Sequence, residues 1–306
     1  MEIIRTFHPI GQGGFYTETF DDLPNKPMVV FDCGGSSSES IRDYIDYFLP
    51  INPQTKIEAV FISHLHGDHC FGLIGLLSTL DMQGRTADLT IHSHEDLKAL
   101  LSPLLSYFCK GISYRIKFEP FNPKENLVIY EDKSLTVETI PLKHKIPTAG
   151  FLFREKDKLR HIIREKIDFY KIPIREIPLI KQGADFYSEE MGELIPNSQL
   201  TLPPTPSKSY AYCSDTLCTD SIIPLIERVD CLFHEATFLN QHLSRAKSTF
   251  HSTARQVASL AEKASVGKLI IGHYSARYDD VRLLLDEAKS IFPKTYLAHD
   301  GAHFII

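Results

Sequence analysis

The stretch FISHLHGDHCFG, Phe61 to Gly72, places His64, His66, Asp68 and His69 directly after the apolar run Ala59 to Ile62. Imidazole and carboxylate are the natural ligands of zinc and similar ions. His64 and His66 stand two apart, so on extended backbone their side chains point the same way. Gly67 lets the chain turn sharply before Asp68 and His69. The stretch therefore predicts one ion gripped by His64 and His66 and a second gripped by Asp68 and His69. A polar loop that is merely histidine-rich would have no reason to start where an apolar strand ends.

Such residues need a scaffold, and the chain has the means to build one. Its 306 residues are 43% hydrophobic and 10% aromatic, enough for a sizeable core in one large domain or two small ones. The net charge of -6 gives no global positive field for nucleic acid, although a local basic patch could still hold RNA. The six cysteines are scattered without a CxxC pair and read as reduced thiols. The opening MEIIRTFHPI lacks the pattern of a signal peptide, and no apolar run is long enough to span a bilayer. A cytoplasmic protein with no membrane partner is expected.

Short apolar runs alternate with amphipathic ones. PMVVFDCG, IEAVFISH, ADLTIHSH, LVIYED, SLTVETIPL, TAGFLFREK, SYAYCSD, DCLFHEAT and KLIIGHYS read as strands. DHCFGLIGLLSTL, EDLKALLSPLLSYFCK, SIIPLIERV, STARQVASLAEKA and YDDVRLLLDEAKSIF read as helices, with Ser252 as an N-cap of the fourth. KTYLAHDGAHFII reads as a terminal pair of strands. The segment 156–208 is charged and punctuated by proline, and reads as an arm inserted into a single domain spanning 1–306.

HxHxDH is the signature of the metallo-β-lactamase superfamily, and this chain resembles it at His64, His66, Asp68 and His69. That fold, a four-layer αββα sandwich of two mixed sheets with helices outside, implies further ligands at later strand ends. His144 follows the strand-like ETIPL, Asp215 closes SYAYCSD and His273 closes KLIIGH. Alone, each reads as an ordinary histidine or a capping carboxylate. In this order, at successive strand ends, they form a set. HYSARY, HEATF, FHSTARQ, YCSDT, DHCFGLIGLL and PLKHKIPTAGF are similar to segments of the ribonuclease Z family, and together span about Phe61 to Gly301.

The resemblance implies that His64, His66 and His144 bind one zinc, that Asp68, His69 and His273 bind the other, and that Asp215 bridges them. Mn2+ or Fe2+ would suit the same donors. It implies a metal-dependent phosphodiesterase cleaving tRNA precursors at the 3′ side by attack of a metal-bridging hydroxide. Asp68 would also orient the water. Glu235 and His251 match the family's further catalytic pair, His251 facing the scissile phosphate and Glu235 holding its ring. Without the resemblance, Glu235 is a rim carboxylate and His251 a helix-start residue. The alternative is a hydrolase of the same fold acting on a smaller phosphodiester or other ester, such as a cyclic nucleotide. A homodimer is implied by resemblance alone.

Other candidates carry less. Gly11, Gly13 and Gly14 precede no helix pattern, so a turn is expected there in place of a phosphate loop. HEATF lacks the second histidine of a zinc-protease helix. His92 and His94 could face substrate, but surface or helix-start placement is the stronger expectation. Ser214 has no evident base, and His299 and Asp300 suggest a closing turn. Two features depart from the family. FHPIGQGGFYTETF and DCGGSSSES replace its usual opening segments, and the arm lacks a glycine/proline-rich tip. Arg154, Lys156, Lys158, Arg160, Arg164, Lys166, Lys171 and Arg175 make the arm locally basic, which suits either an RNA grip or a solvated helix face.

Overall fold

The computed structural model describes residues 3–7, 15–20, 28–34, 57–299 and 302–305. Gly11, Gly13 and Gly14, the run Gly35 to Ser40, and Asp300 lie outside the described residues. In chain order, β1 (Ile3–Phe7), β2 (Tyr16–Phe20), β3 (Met28–Phe31), β4 (Ile57–Phe61), β5 (Leu89–Ser93) and β6 (Ile116–Pro120) build one sheet. A second sheet begins with β7 (Val128–Glu131), β8 (Leu135–Leu142) and β9 (Thr148–Glu155). After β10 (His161–Ile162), β11 (Phe186–Ser188), β12 (Glu193–Ile195) and β13 (Thr201–Leu202), it resumes with β14 (Ser209–Cys213), β15 (Cys231–Glu235), β16 (Leu269–Gly272) and β17 (Thr295–Leu297). β18 (His303–Ile305) returns to the first sheet. The strand orders are β18-β1-β2-β3-β4-β5-β6 and β17-β16-β15-β14-β9-β8-β7.

Period-two alternation tells each sheet which face is which. In the first sheet, Tyr16, Phe31, Phe61 and His92 are cross-strand partners, and their rings stack side by side over four strands at centroid distances of 4.5, 5.7 and 4.7 Å. Their neighbours Val30, Val60, Ile62 and Ile91 point the other way. There they pack with Leu73, Leu76, Leu77 and Leu80 of the helix Leu73–Met82 and with Leu97 and Leu101 of Asp96–Phe108. In the second sheet Tyr212 and Phe233 are partners across β14 and β15, 5.1 Å apart. Their neighbours Ala211, Cys213 and Leu232 meet Val257, Ala258 and Ala261 of the helix Ala254–Lys263 and Leu284 of Arg282–Lys289.

The two aromatic faces meet. Phe31 lies 5.1 Å from Phe153 and 5.7 Å from Tyr212, Phe61 lies 5.3 Å from Phe151, and Tyr16 lies 4.8 Å from Tyr212. Helix, sheet, sheet and helix are therefore the layers, as the sequence reading expected. Offset and edge contacts of this kind add to the large apolar area that each ring removes from water.

Two details differ from that reading. The last two strands do not pair with each other: β17 joins β16 and β18 joins β1, in different sheets. Ser252 is not the cap of the helix Ala254–Lys263. Thr253 accepts from the Gln256 backbone, and the Gln256 side chain accepts from the Thr253 backbone, which closes a capping box. Ser252 instead gives its hydroxyl to the Thr216 carbonyl at 2.7 Å.

Residues 131–136 and 154–208 form a second compact unit around Ile172, Ile180, Ile195 and Leu200. β10 pairs with β13 and β11 with β12, in strands too short for a period of two to show in sequence. Much of its basic charge is neutralised locally. Lys156 pairs with Glu131, Lys158 with Glu155, Arg164 with Asp168, Lys171 with Glu190 and Arg175 with Glu176.

Phe31, fully buried and in ring contact across both sheets, is the side chain on which the sandwich should depend most. Phe31→Ala should cost about 3–5 kcal/mol in urea unfolding, as for other buried phenylalanines. A loss within experimental error of zero would mean that the two aromatic faces do not form the interior.

Candidate metal centre

Strand ends gather the predicted residues. β4 runs parallel to β3 and β5 in the first sheet, and β14, β15 and β16 run parallel to one another in the second, so within each sheet the C-terminal ends of these strands lie along one edge. His64 and His66 follow β4, and Asp215 follows β14 by two residues. Glu235 ends β15, and His273 comes directly after β16. His144 sits beyond β8, while Asp68 and His69 lie on the one-turn helix Gly67–Cys70.

All seven predicted ligands converge in two groups that share Asp215. On one side, His66 Nδ1 lies 3.1 Å from His64 Nε2 and 3.2 Å from His144 Nε2. Asp215 Oδ2 is 3.9 Å from both of those Nε2 atoms. On the other, Asp215 Oδ1 is 3.3 Å from His273 Nε2 and 3.6 Å from His69 Nε2, which is itself 3.9 Å from Asp68 Oδ2. His64 and His66 fall in one group, and Asp68 and His69 in the other. Each half is completed by residues from distant strands.

The backs of the rings are tied down. His64 Nδ1 meets the Ser63 hydroxyl at 2.9 Å, and His144 Nδ1 donates to the Phe250 carbonyl at 3.0 Å. His69 Nδ1 donates to Asp32 Oδ2 at 2.8 Å, and His273 Nδ1 meets Thr237 Oγ1 at 2.9 Å. Holding one ring nitrogen sets the tautomer and aims the other nitrogen inward. Burial pushes His64 and His144 below the ordinary imidazole range, which leaves them neutral with an inward lone pair. Burial would raise Asp215, but His273, His69 and His64 hold it well below the usual carboxylate range. His69 Nε2 and Asp215 Oδ1 are buried without a hydrogen-bond partner. Converging lone pairs and an unpartnered buried carboxylate oxygen repel one another unless a cation lies between them. This donor set of nitrogen and oxygen fits divalent ions of the zinc class on both sides of Asp215.

Glu235 and His251 adjoin the cluster. Glu235, fully buried, accepts from His251 Nδ1 at 3.0 Å, from the Ser252 and Thr237 backbones at 2.9 Å, and from the Thr237 hydroxyl at 2.8 Å. Burial alone would lower His251, but the hydrogen bond and charge of Glu235 outweigh it and raise the imidazole above its ordinary value. The His251 ring stacks at 5.3 Å on His273 and reaches a cavity of about 320 Å³ that Asp68, Asp215 and Lys145 also line.

Sequence reasoning missed three parts of this centre. Asp32, fully buried, accepts from the Ser63 backbone and hydroxyl, His69 and the Tyr212 hydroxyl, all within 2.8 Å. In FDCGG it looks like a turn residue, and only its place at the end of a buried strand could have marked it. Thr237 serves both Glu235 and His273. Lys145 stands on the rim beside His144, exposed, and reads in sequence as surface charge.

A beta-lactamase superfamily domain model matches residues 28–164. Ribonuclease Z of Bacteroides thetaiotaomicron is 50% identical over 287 residues, covering 94% of this chain and 88% of that one. The chain belongs to the ribonuclease Z family. Ribonuclease Z of Phocaeicola vulgatus is 51% identical over 273 residues, covering 89% of this chain and 86% of that one. The crystal structure of the short form of human tRNase Z matches in fold, with a TM-score of 0.65 over 98% of each chain at 19% identity. Family membership makes a metal-dependent hydrolase of this fold, and the divalent ions that the family implies agree with the donor set at the strand ends.

Asp215 is the residue both groups share, so its removal should disturb both. Elemental analysis of Asp215→Ala should find the divalent metal content reduced from about two ions per chain to one or fewer. Full content in the variant would remove the carboxylate from the centre.

Proposed function

We propose that this chain cleaves tRNA precursors on the 3′ side, leaving a 3′-hydroxyl on the tRNA and a 5′-phosphate on the trailer. The observation that carries the reading is the Asp215 carboxylate with one oxygen turned to each histidine group, in a chain about half identical to named ribonucleases Z. His64, His66 and His144 would hold one ion, Asp68, His69 and His273 the other, and Asp215 both. Zinc is the proposed ion. A pair of such ions supplies charge toward a phosphoryl oxygen and makes water acidic enough to react near neutral pH.

The remaining steps belong to the protein's own side chains. Asp68, half exposed at the cavity, is placed to accept a proton from the attacking water. His251, held by Glu235 and favoured in its charged form, is placed to give a proton to the departing 3′ oxygen. Lys145 brings a positive charge to the same cavity and suits a non-bridging phosphate oxygen. The second compact unit is proposed as the RNA-gripping arm. A homodimer and a cytoplasmic setting belong to the same proposal. Among the described residues no helix is long and apolar enough to cross a membrane.

Purified enzyme and a 3′-extended tRNA transcript test the reading. A single cut after the tRNA body is expected, abolished by a chelator. His251→Ala should lower kcat by about 100-fold to 1000-fold, the usual weight of a positioned proton donor. Lys145→Ala should lower kcat/KM by about fivefold, as expected for a solvent-exposed charge pair. Hydrolysis of a small phosphodiester with the tRNA left intact would favour the smaller-substrate alternative.

A further inference from the structure

Two hydroxyls stand between a buried carboxylate and a ring of the centre, one in each half. Thr237 Oγ1 lies 2.8 Å from Glu235 Oε2 and 2.9 Å from His273 Nδ1. Ser63 Oγ lies 2.8 Å from Asp32 Oδ2 and 2.9 Å from His64 Nδ1. A hydroxyl has one proton to give and lone pairs with which to accept. Two oxygens at 2.8 Å need a proton between them. The carboxylates are surrounded by donors and have none to supply. Glu235 also accepts from the backbones of Thr216, Thr237 and Ser252 and from His251 Nδ1. Asp32 also accepts from the Ser63 backbone, His69 Nδ1 and the Tyr212 hydroxyl. Both hydroxyl protons are therefore committed to the carboxylates. Ser63, Asp32, Glu235 and Thr237 are all buried, so bulk water does not compete for them.

The rings must then supply the second hydrogen bond. With its proton given to Glu235, Thr237 Oγ1 can only accept from His273, so His273 carries its proton on Nδ1. Nε2 keeps a lone pair, and it is the atom 3.3 Å from Asp215 Oδ1. The same count places the His64 proton on Nδ1 and leaves Nε2 open, 3.1 Å from His66 Nδ1 and 3.9 Å from Asp215 Oδ2. The two open nitrogens belong to different groups, His64 with His66 and His144, and His273 with Asp68 and His69. Each carboxylate thus acts on one group through one hydroxyl. On the Thr237 side the same carboxylate also holds His251, so the proton donor and a metal ligand answer to one residue.

We propose that Ser63 and Thr237 are positioning residues that fix the metal-binding tautomer for one ion each, Ser63 for the ion among His64, His66 and His144, and Thr237 for the ion among Asp68, His69 and His273. The proposal rests on the two-ion reading given above. It is tested on zinc-loaded protein dialysed at the lowest free zinc that leaves the wild type with both ions. Elemental analysis counts the ions kept, and anomalous diffraction shows which group keeps them. Each variant should weaken one ion about 10-fold to 100-fold, the usual cost of losing such a partner. Ser63→Ala should keep the ion among Asp68, His69 and His273 and release the other, and Thr237→Val should do the reverse. Thr237→Ser, which keeps the hydroxyl, should hold both. Glu235→Gln tests the relay with Thr237 and every ligand intact, and decides the matter for that half if Thr237→Val does not fold. Its amide nitrogen would take the Oε2 place, which faces two donors where Oε1 faces three, and would donate to Thr237 Oγ1. The hydroxyl would then donate to His273 Nδ1, which moves the ring proton to Nε2, and the ion of that group should again be lost. Retention of both ions in Ser63→Ala, Thr237→Val or Glu235→Gln overturns the proposal, as does loss of an ion from Thr237→Ser. A wild type that never holds two ions is a different result, and it overturns the reading of the centre and this proposal with it.

Discussion

The structure turns on the convergence of inward imidazole nitrogens on one buried carboxylate, Asp215. His64 Nε2 and His144 Nε2 each lie within 3.2 Å of His66 Nδ1, and a carboxylate oxygen of Asp215 is buried with no donor. Folding such a group costs free energy that a bound cation would return. The surrounding architecture serves to hold that arrangement. The rings of His64, His69, His144 and His273 are fixed from behind by a hydroxyl, a carbonyl or a carboxylate, so these donors do not relax away from one another when the site is formed.

The scaffold accepts local strain to do this. Asp32, Phe250 and His273 take left-handed backbone conformations, with φ of 49°, 61° and 58°. For non-glycine residues each costs about 1–2 kcal/mol. All three serve the centre: Asp32 holds His69, the Phe250 carbonyl holds His144, and His273 is itself aimed at Asp215. The aromatic interior bears that cost. The rings of both sheets interlock directly beneath the rim, so the strand ends that carry His64, Asp215 and His273 are fixed relative to one another.

Most of this was legible in sequence, and the exceptions share a physical cause. His64, His66, Asp68 and His69 declare themselves through spacing, because local geometry alone brings them together. Asp215 and His273 could be read only through strand ends, since nothing near them in sequence signals chemistry. Asp32 was invisible because a buried carboxylate and a turn carboxylate look alike until the hydrogen-bond donors arrive from Ser63 and Tyr212. His92 was misplaced because polar residues in a strand suggest an exposed face, whereas here the ring completes an aromatic stack. The terminal strands were paired wrongly because two short adjacent strands suggest a hairpin, while the two-sheet topology sends one to each sheet.

The central claim is that one carboxylate separates two ions. Anomalous diffraction from crystals of the zinc-loaded enzyme, collected on both sides of the zinc absorption edge, tests it most directly. The account predicts two peaks flanking Asp215, about 3.5–4 Å apart, one among His64, His66 and His144 and the other among Asp68, His69 and His273. A single peak, or a pair with Asp215 bound to neither, would contradict it.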